Sequence, residues 1–95
     1  MDWDNLRVFL ELARSQRLMD AAQRLGIDHS TVSRRVRRFE QELGTQLFDR
    51  SNQGYALTTQ GARLVEYVER MENTLHAATD EVVGGNRALS GQVRL

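Results

Sequence analysis

The sequence predicts a mainly α chain: three short helices, one small β-hairpin and one long C-terminal helix. Three observations predict it. Apolar residues recur at helical spacing through the first 43 positions, with glycines at 26 and 44 as stops. The period turns extended for one short stretch after Gly44. After Thr58 a single apolar stripe then runs from Leu64 to Val82, nearly three heptads. No apolar run exceeds three residues (Val8-Phe9-Leu10 and Tyr55-Ala56-Leu57 are the longest), which excludes a membrane span or a signal-peptide core. A cytoplasmic chain is expected.

The first helix is expected from Asp4 to about Gln16. Leu6, Phe9, Leu10 and Ala13 repeat on one side, and Asp2 or Asp4 supplies a carboxylate for its N-terminus. The second runs from about Leu18 to Leu25, with Leu18, Ala21, Ala22 and Leu25 inward, and stops at Gly26. Asp28 is placed to cap the third, its carboxylate accepting from the amide of Ser30 or Thr31. That helix continues to about Leu43 and Gly44.

On the third helix Val32, Val36, Phe39 and Leu43 are spaced 4, 3, 4, a narrow buried stripe. The other side carries Ser30, Arg34, Arg37 and Gln41, with Ser33 and Arg38 at its edges. The chain is formally neutral, with 13 basic and 13 acidic residues. The average hides a segregation. Residues 29–38 hold four arginines and no acid, whereas 66–81 hold five acids against Arg70 alone. Phosphate responds to the local field rather than to the total.

"AAQRLGIDHSTVSRRV" meets the requirements of a helix-turn-helix: small residues at the helix crossing, a glycine in the turn, and Ile27 and Val32 packing back. The second helix of such a unit enters the major groove N-terminus first, its free amides and dipole favouring phosphate. His29, Ser30, Thr31 and Ser33 are short enough for close approach. Arg34 can fork onto guanine O6 and N7. Arg37 and Arg38, one turn further on, suit phosphates. The competing reading is a solvated face, with Arg38 paired to Glu42 and Arg35 loosely to Gln41 or Glu42.

After Gly44, "LFDR" and "YALT" flank the polar "SNQG" and predict a hairpin. Placed after a recognition helix it is a wing, with Arg50 at its base for a phosphate and Asn52 and Gln53 at its tip for the sugar-phosphate backbone. Arg50 could instead pair with Asp49 or Glu42. The expected class is thus a mainly α winged helix-turn-helix, three helices plus a β-hairpin wing, followed by a long dimerisation helix.

Thr58 opens that helix, and Gly84-Gly85 is expected to break it after about Val83. Leu64, Val68, Met71, Leu75, Ala78 and Val82, spaced 4, 3, 4, 3, 4, form a coiled-coil seam that calls for a second copy of the same helix. The alternative folds the helix back on its own domain, with Val65 beside the seam. Residues 1–57 are read as the DNA-binding domain, 58–86 as the dimerisation helix and 87–95 as the start of a hinge. The strand-like end, with nothing to pair, suggests a fragment of a longer protein.

"AAQRLGIDHSTVSRRVRRFEQELGTQLFDR…YALTTQGARLV" resembles the N-terminal winged helix-turn-helix of LysR-type transcriptional regulators over roughly residues 3–90. The shared pattern is Ala-Ala, Leu-Gly, Thr-Val-Ser-Arg, Glu-x-x-Leu-Gly, Leu-Phe-x-Arg and Leu-Thr-x-x-Gly. The resemblance implies a linker helix paired antiparallel in a homodimer, base contacts from His29, Ser30, Ser33 and Arg34, and a small-molecule effector sensed by a domain beyond this segment. It also implies a parent protein that is commonly tetrameric. The chain departs from many members in carrying His29-Ser30 in place of Gln-Pro, and Arg17-Leu18-Met19 in place of a Ser-Phe-Thr-like stretch.

The expected partner is double-stranded DNA, bound by a bacterial regulator on an inverted repeat. The rival is a winged-helix protein-interaction module whose arginines meet acidic partners. An enzyme is not expected, since no nucleophile–base pair, carboxylate pair or phosphate loop is visible. With no cysteine, and with His29 and His76 lacking neighbouring ligands, neither a metal site nor a cofactor is expected.

Overall fold

A computed structural model of the chain describes residues 2–89. Helix α1 (Trp3–Ser15) starts where the Asp2 carboxylate accepts from the Asp4 amide at 3.1 Å. It ends at Gln16, among the described residues the one non-glycine in the left-handed region, with φ 64°. Helix α2 (Leu18–Leu25) stops at Gly26, φ 70°, and Asp28 caps α3 (His29–Leu43), which ends at Gly44. Strands β1 (Phe48–Ser51) and β2 (Gly54–Leu57) pair antiparallel, Ser51 facing Gly54, so that Asn52 and Gln53 make the turn. Helix α4 (Thr59–Leu89) follows, and the Thr58 hydroxyl accepts from the Gly61 amide at 3.0 Å to cap it.

The core is built around Phe9. Its ring lies 6.1 Å from Phe39 of α3 and 5.5 Å from Phe48 of β1, both tilted as aromatic quadrupoles prefer. Leu6, Leu10 and Leu12 of α1, Ala21 and Ala22 of α2, and Val32 and Val36 of α3 close around it. The expected stripes of all three helices therefore face inward, with Leu43 partly covered.

The hairpin lies against two helices. The Tyr55 amide donates to the Gln16 carbonyl at 2.9 Å. Gly54, with φ 126°, packs so close that a Cβ there would sit 2.5 Å from that carbonyl oxygen. Gly61 has a similar role in the first turn of α4. A Cβ at that position would fall 2.2 Å from the Leu47 carbonyl oxygen, so only glycine lets α4 pass under the loop before β1.

Two expectations for the long helix change. Val68 is 2% exposed and belongs to the core of its own domain, with Leu64 and Val65 partly covered beside it. The start of the seam thus packs on α1, where Arg14 also binds Glu72 at 3.0 Å and Glu69 at 3.4 Å. The fold-back alternative therefore holds for the first part of the helix, while Met71, Leu75 and Val82 further along it stand exposed. Nor does Gly84-Gly85 break α4, which continues to Leu89. Glycine inside a helix costs about 1 kcal/mol relative to alanine, too little to stop a long one without a capping turn. The strand-like end of the chain lies outside the described residues. Among the described residues no helix is long and apolar enough to cross a membrane.

Candidate nucleic-acid interface

Helix α3 is oriented by what it buries. Val32, Val36 and Phe39 fix its inner face, which leaves His29, Ser30, Arg34, Arg35, Arg37 and Arg38 exposed and Thr31 and Ser33 half-buried. No ion pair engages any of the four arginines among the described residues. The Arg38–Glu42 pair of the competing solvated-face reading does not form among the described residues. Four neighbouring guanidiniums without ion-pair partners among the described residues repel one another, and an anion laid along the helix would relieve that repulsion.

The helix start differs from expectation in one respect. The amides of Ser30 and Thr31 are not free for phosphate: the first donates to the Asp28 carboxylate at 3.0 Å and the second to the Asp28 carbonyl at 3.0 Å. The Ser30 hydroxyl also donates to the Asp28 carboxylate. Those two bonds from Ser30, with smaller help from His29 and Arg34, hold the Asp28 carboxyl below its ordinary pKa. The cap is thus an anion, and phosphate attraction must come from the arginines beyond it.

At the wing tip, Asn52 and Gln53 are exposed, and the Ser51 hydroxyl accepts from the Gln53 amide at 3.2 Å. Arg50 is not the free cation expected at the hairpin base. Its Nη2 donates to Glu40 Oε1 at 2.9 Å, and its guanidinium lies 5.4 Å from the centre of the Tyr55 ring. Neither Asp49 nor Glu42 is the partner. Glu40 itself is buried, and its other oxygen accepts from the amides of Leu47 and Phe48 at 2.8 and 3.1 Å. The sequence offers Glu40 only as the head of the Glu-x-x-Leu-Gly pattern and assigns it no role. The signal was its place four residues after Val36, on the apolar side of α3, where a carboxylate demands a buried partner.

A second surface lies on the far half of α4. Met71, Leu75 and Val82 are 47%, 56% and 64% exposed, and Ala78 is exposed between them. Met71, Leu75 and Ala78 join Trp3 of α1 and Tyr67 in lining an apolar concavity of about 700 Å³. Of the six seam residues, then, four stand open, Leu64 is partly covered and Val68 is taken by the core. No group of three or more metal-binding side chains occurs among the described residues.

The family model described as "Bacterial regulatory helix-turn-helix protein, lysR family" matches residues 3–62. The HTH-type transcriptional regulator HdfR of Salmonella newport (strain SL254) is 40% identical over 87 residues, 92% of this chain and 31% of that protein. The segment therefore spans about a third of the length of such relatives. Among solved structures, a CbnR_DBD–DNA complex superposes with a TM-score of 0.79 at 26% identity, covering 92% of this chain and all of the other. A BenM_DBD/catB site 1 DNA complex gives 0.77 at 28% identity, covering 98% of this chain and all of the other.

Proposed function

Since the chain belongs to the lysR family of bacterial regulatory helix-turn-helix proteins, we propose that it binds double-stranded DNA sequence-specifically through α3. The observation that carries the reading is the row of four arginines, without ion pairs among the described residues, on the uncovered side of that helix. In this reading His29, Ser30, Ser33 and Arg34 meet base edges in the major groove. Thr31, Arg37 and Arg38 meet the phosphate backbone, as do Asn52 and Gln53 from the wing. Residues 1–57 carry the DNA-contacting surfaces, and the start of α4 around Val68 completes the core beneath them.

The same reading makes α4 the dimer helix, burying Met71, Leu75, Ala78 and Val82 against a second copy, with Leu64 at the margin of the contact. A two-fold dimer on an inverted repeat sets half-sites about 34 Å apart per helical turn. The protein would act in the cytoplasm on chromosomal DNA. Effector sensing belongs to the remainder of a longer parent protein.

Titration of duplex DNA across a range of salt concentrations tests the proposal. Arg37 and Arg38 from two protomers neutralise four phosphates, so log K should fall with log salt at a slope of about −3.6. Binding to an acidic polypeptide as tight as to duplex, with no preference among duplex sequences, would instead favour an acidic protein partner.

A further inference from the structure

We propose that the Glu40–Arg50 pair is a positioning device that fixes the wing against the recognition helix, and that Arg50 acts through the wing tip and not on phosphate. The inference rests on the DNA-binding reading above.

Glu40 is the one charged residue that is buried among the described residues, 7% exposed. Burying a carboxylate is costly unless donors converge on it. Three do: the amides of Leu47 and Phe48 and the guanidinium of Arg50. A single carboxylate on α3 therefore grips the backbone where β1 begins and the side chain of the third residue of β1. An apolar residue could fill the same volume, but it would bring no direction. The three hydrogen bonds prescribe both the distance and the angle between strand and helix.

The wing needs such a fastening. Its strands are four residues each, and an isolated two-stranded hairpin is marginal in water. On the β2 side it is held by the Tyr55 amide on the Gln16 carbonyl. On the β1 side, polar fastening to α3 comes from Glu40. The turn residues Asn52 and Gln53 follow Arg50 after a single intervening residue, so an error of angle at Arg50 is carried directly to the tip.

Arg50 is also unlike the arginines expected on phosphate. Its side chain is 26% exposed, its charge is met by Glu40, and its Nε is buried with no partner among the described residues, where an incoming phosphate cannot reach. Arg37 and Arg38 are exposed and without ion pairs among the described residues. Arg37 and Arg50 do line one shallow concavity with Gln41, Gly44, Thr45 and Gln46, so a shared phosphate is the rival assignment. The two assignments differ in salt dependence. Residues 51–54, Ser-Asn-Gln-Gly, carry no cation, so a displaced tip loses hydrogen bonds but releases no counterions.

The test compares wild type, Arg50→Met, and the charge-balanced Glu40→Gln/Arg50→Met on a duplex selected by the wild-type protein from a random pool. The balanced variant keeps a carbonyl oxygen to accept a backbone amide, and so remains informative should the single variant fold poorly. Both variants should bind about tenfold more weakly, the worth of one or two hydrogen bonds, at the wild-type salt slope. A slope shallower by about 0.9 per protomer would make Arg50 a phosphate ligand and overturn the proposal. A second arm introduces Arg50→Met into an Asn52→Ala/Gln53→Ala background. There it should cost less than about twofold, because the contacts it positions are already gone. A full additive loss would show that Arg50 does not work through the tip. Wild type with no duplex affinity would overturn the DNA reading and this inference together, whereas an altered slope in the variant overturns only the latter.

Discussion

Arg34 and Arg50 carry the same guanidinium in different surroundings, and the proposed roles follow that difference. Arg34 is exposed on α3 and free of ion pairs among the described residues, whereas Arg50 is folded against Glu40 and Tyr55. Replacing Arg34 by alanine should cost about 1–3 kcal/mol on the preferred duplex and relax selection at one base pair. Competition binding with single-base variants of the site measures both effects. Asp28 has a different signature, because its carboxyl is held below the ordinary value by Ser30. A depressed folded-state pKa stabilises above the unfolded value of about 3.9, and that contribution fades as pH falls through the folded-state value. Asp28→Ala should therefore melt below wild type at neutral pH, and the gap should close as pH drops beneath about 4. A gap that stayed constant into acid would remove the carboxylate's part in the cap. The Asp28 cap was legible in the sequence because its partners lie within three positions. Glu40 was not legible, because its burial depends on Leu47, Phe48 and Arg50, which only the tertiary fold brings to it.

At the scale of elements, helical spacing and glycine stops located α1, α2, α3 and the hairpin closely. The long helix shows where a one-dimensional pattern fails. An apolar seam of 4, 3, 4 spacing is the same whether a helix packs on its own domain or on another copy, and α4 does the first at Val68 and is open for the second from Met71 onward. Two substitutions separate the halves. Val68→Ala should lower stability by roughly 2 kcal/mol by emptying part of the core, with little change in self-association. Leu75→Asp should leave the fold intact and shift sedimentation toward monomer, since it places a charge on the proposed dimer seam. Monomeric behaviour in the first and not in the second would reverse these assignments. Gly84 gives a third test at this scale. It lies in the helix with nothing near the position of a Cβ, so Gly84→Ala should strengthen the end of α4 by about 1 kcal/mol. Slower amide exchange across that turn would report it, and unchanged or faster exchange would mean that the helix is interrupted there.

Over the whole molecule the formal neutrality conceals a division of labour. Arginines without ion pairs among the described residues lie along α3, at one surface, while α4 carries acids, two of which are drawn to Arg14 on α1. A neutral chain can thus present a cationic ridge to a polyanion and keep its acidic rod for another purpose. The charge segregation was readable from the sequence, but its spatial separation required the packing of α4 on α1. Because the chain contains no cysteine, a single Cys can be introduced at will to carry a photo-crosslinker. Placed by Ser33→Cys on the recognition face and by Asp80→Cys on the acidic helix, the probe measures directly which surface the duplex occupies. Crosslinks to major-groove bases from position 33, with little or none from position 80, are the predicted result. Crosslinks from position 80 equal to those from position 33, or none from position 33, would contradict the placement of α3 in the groove.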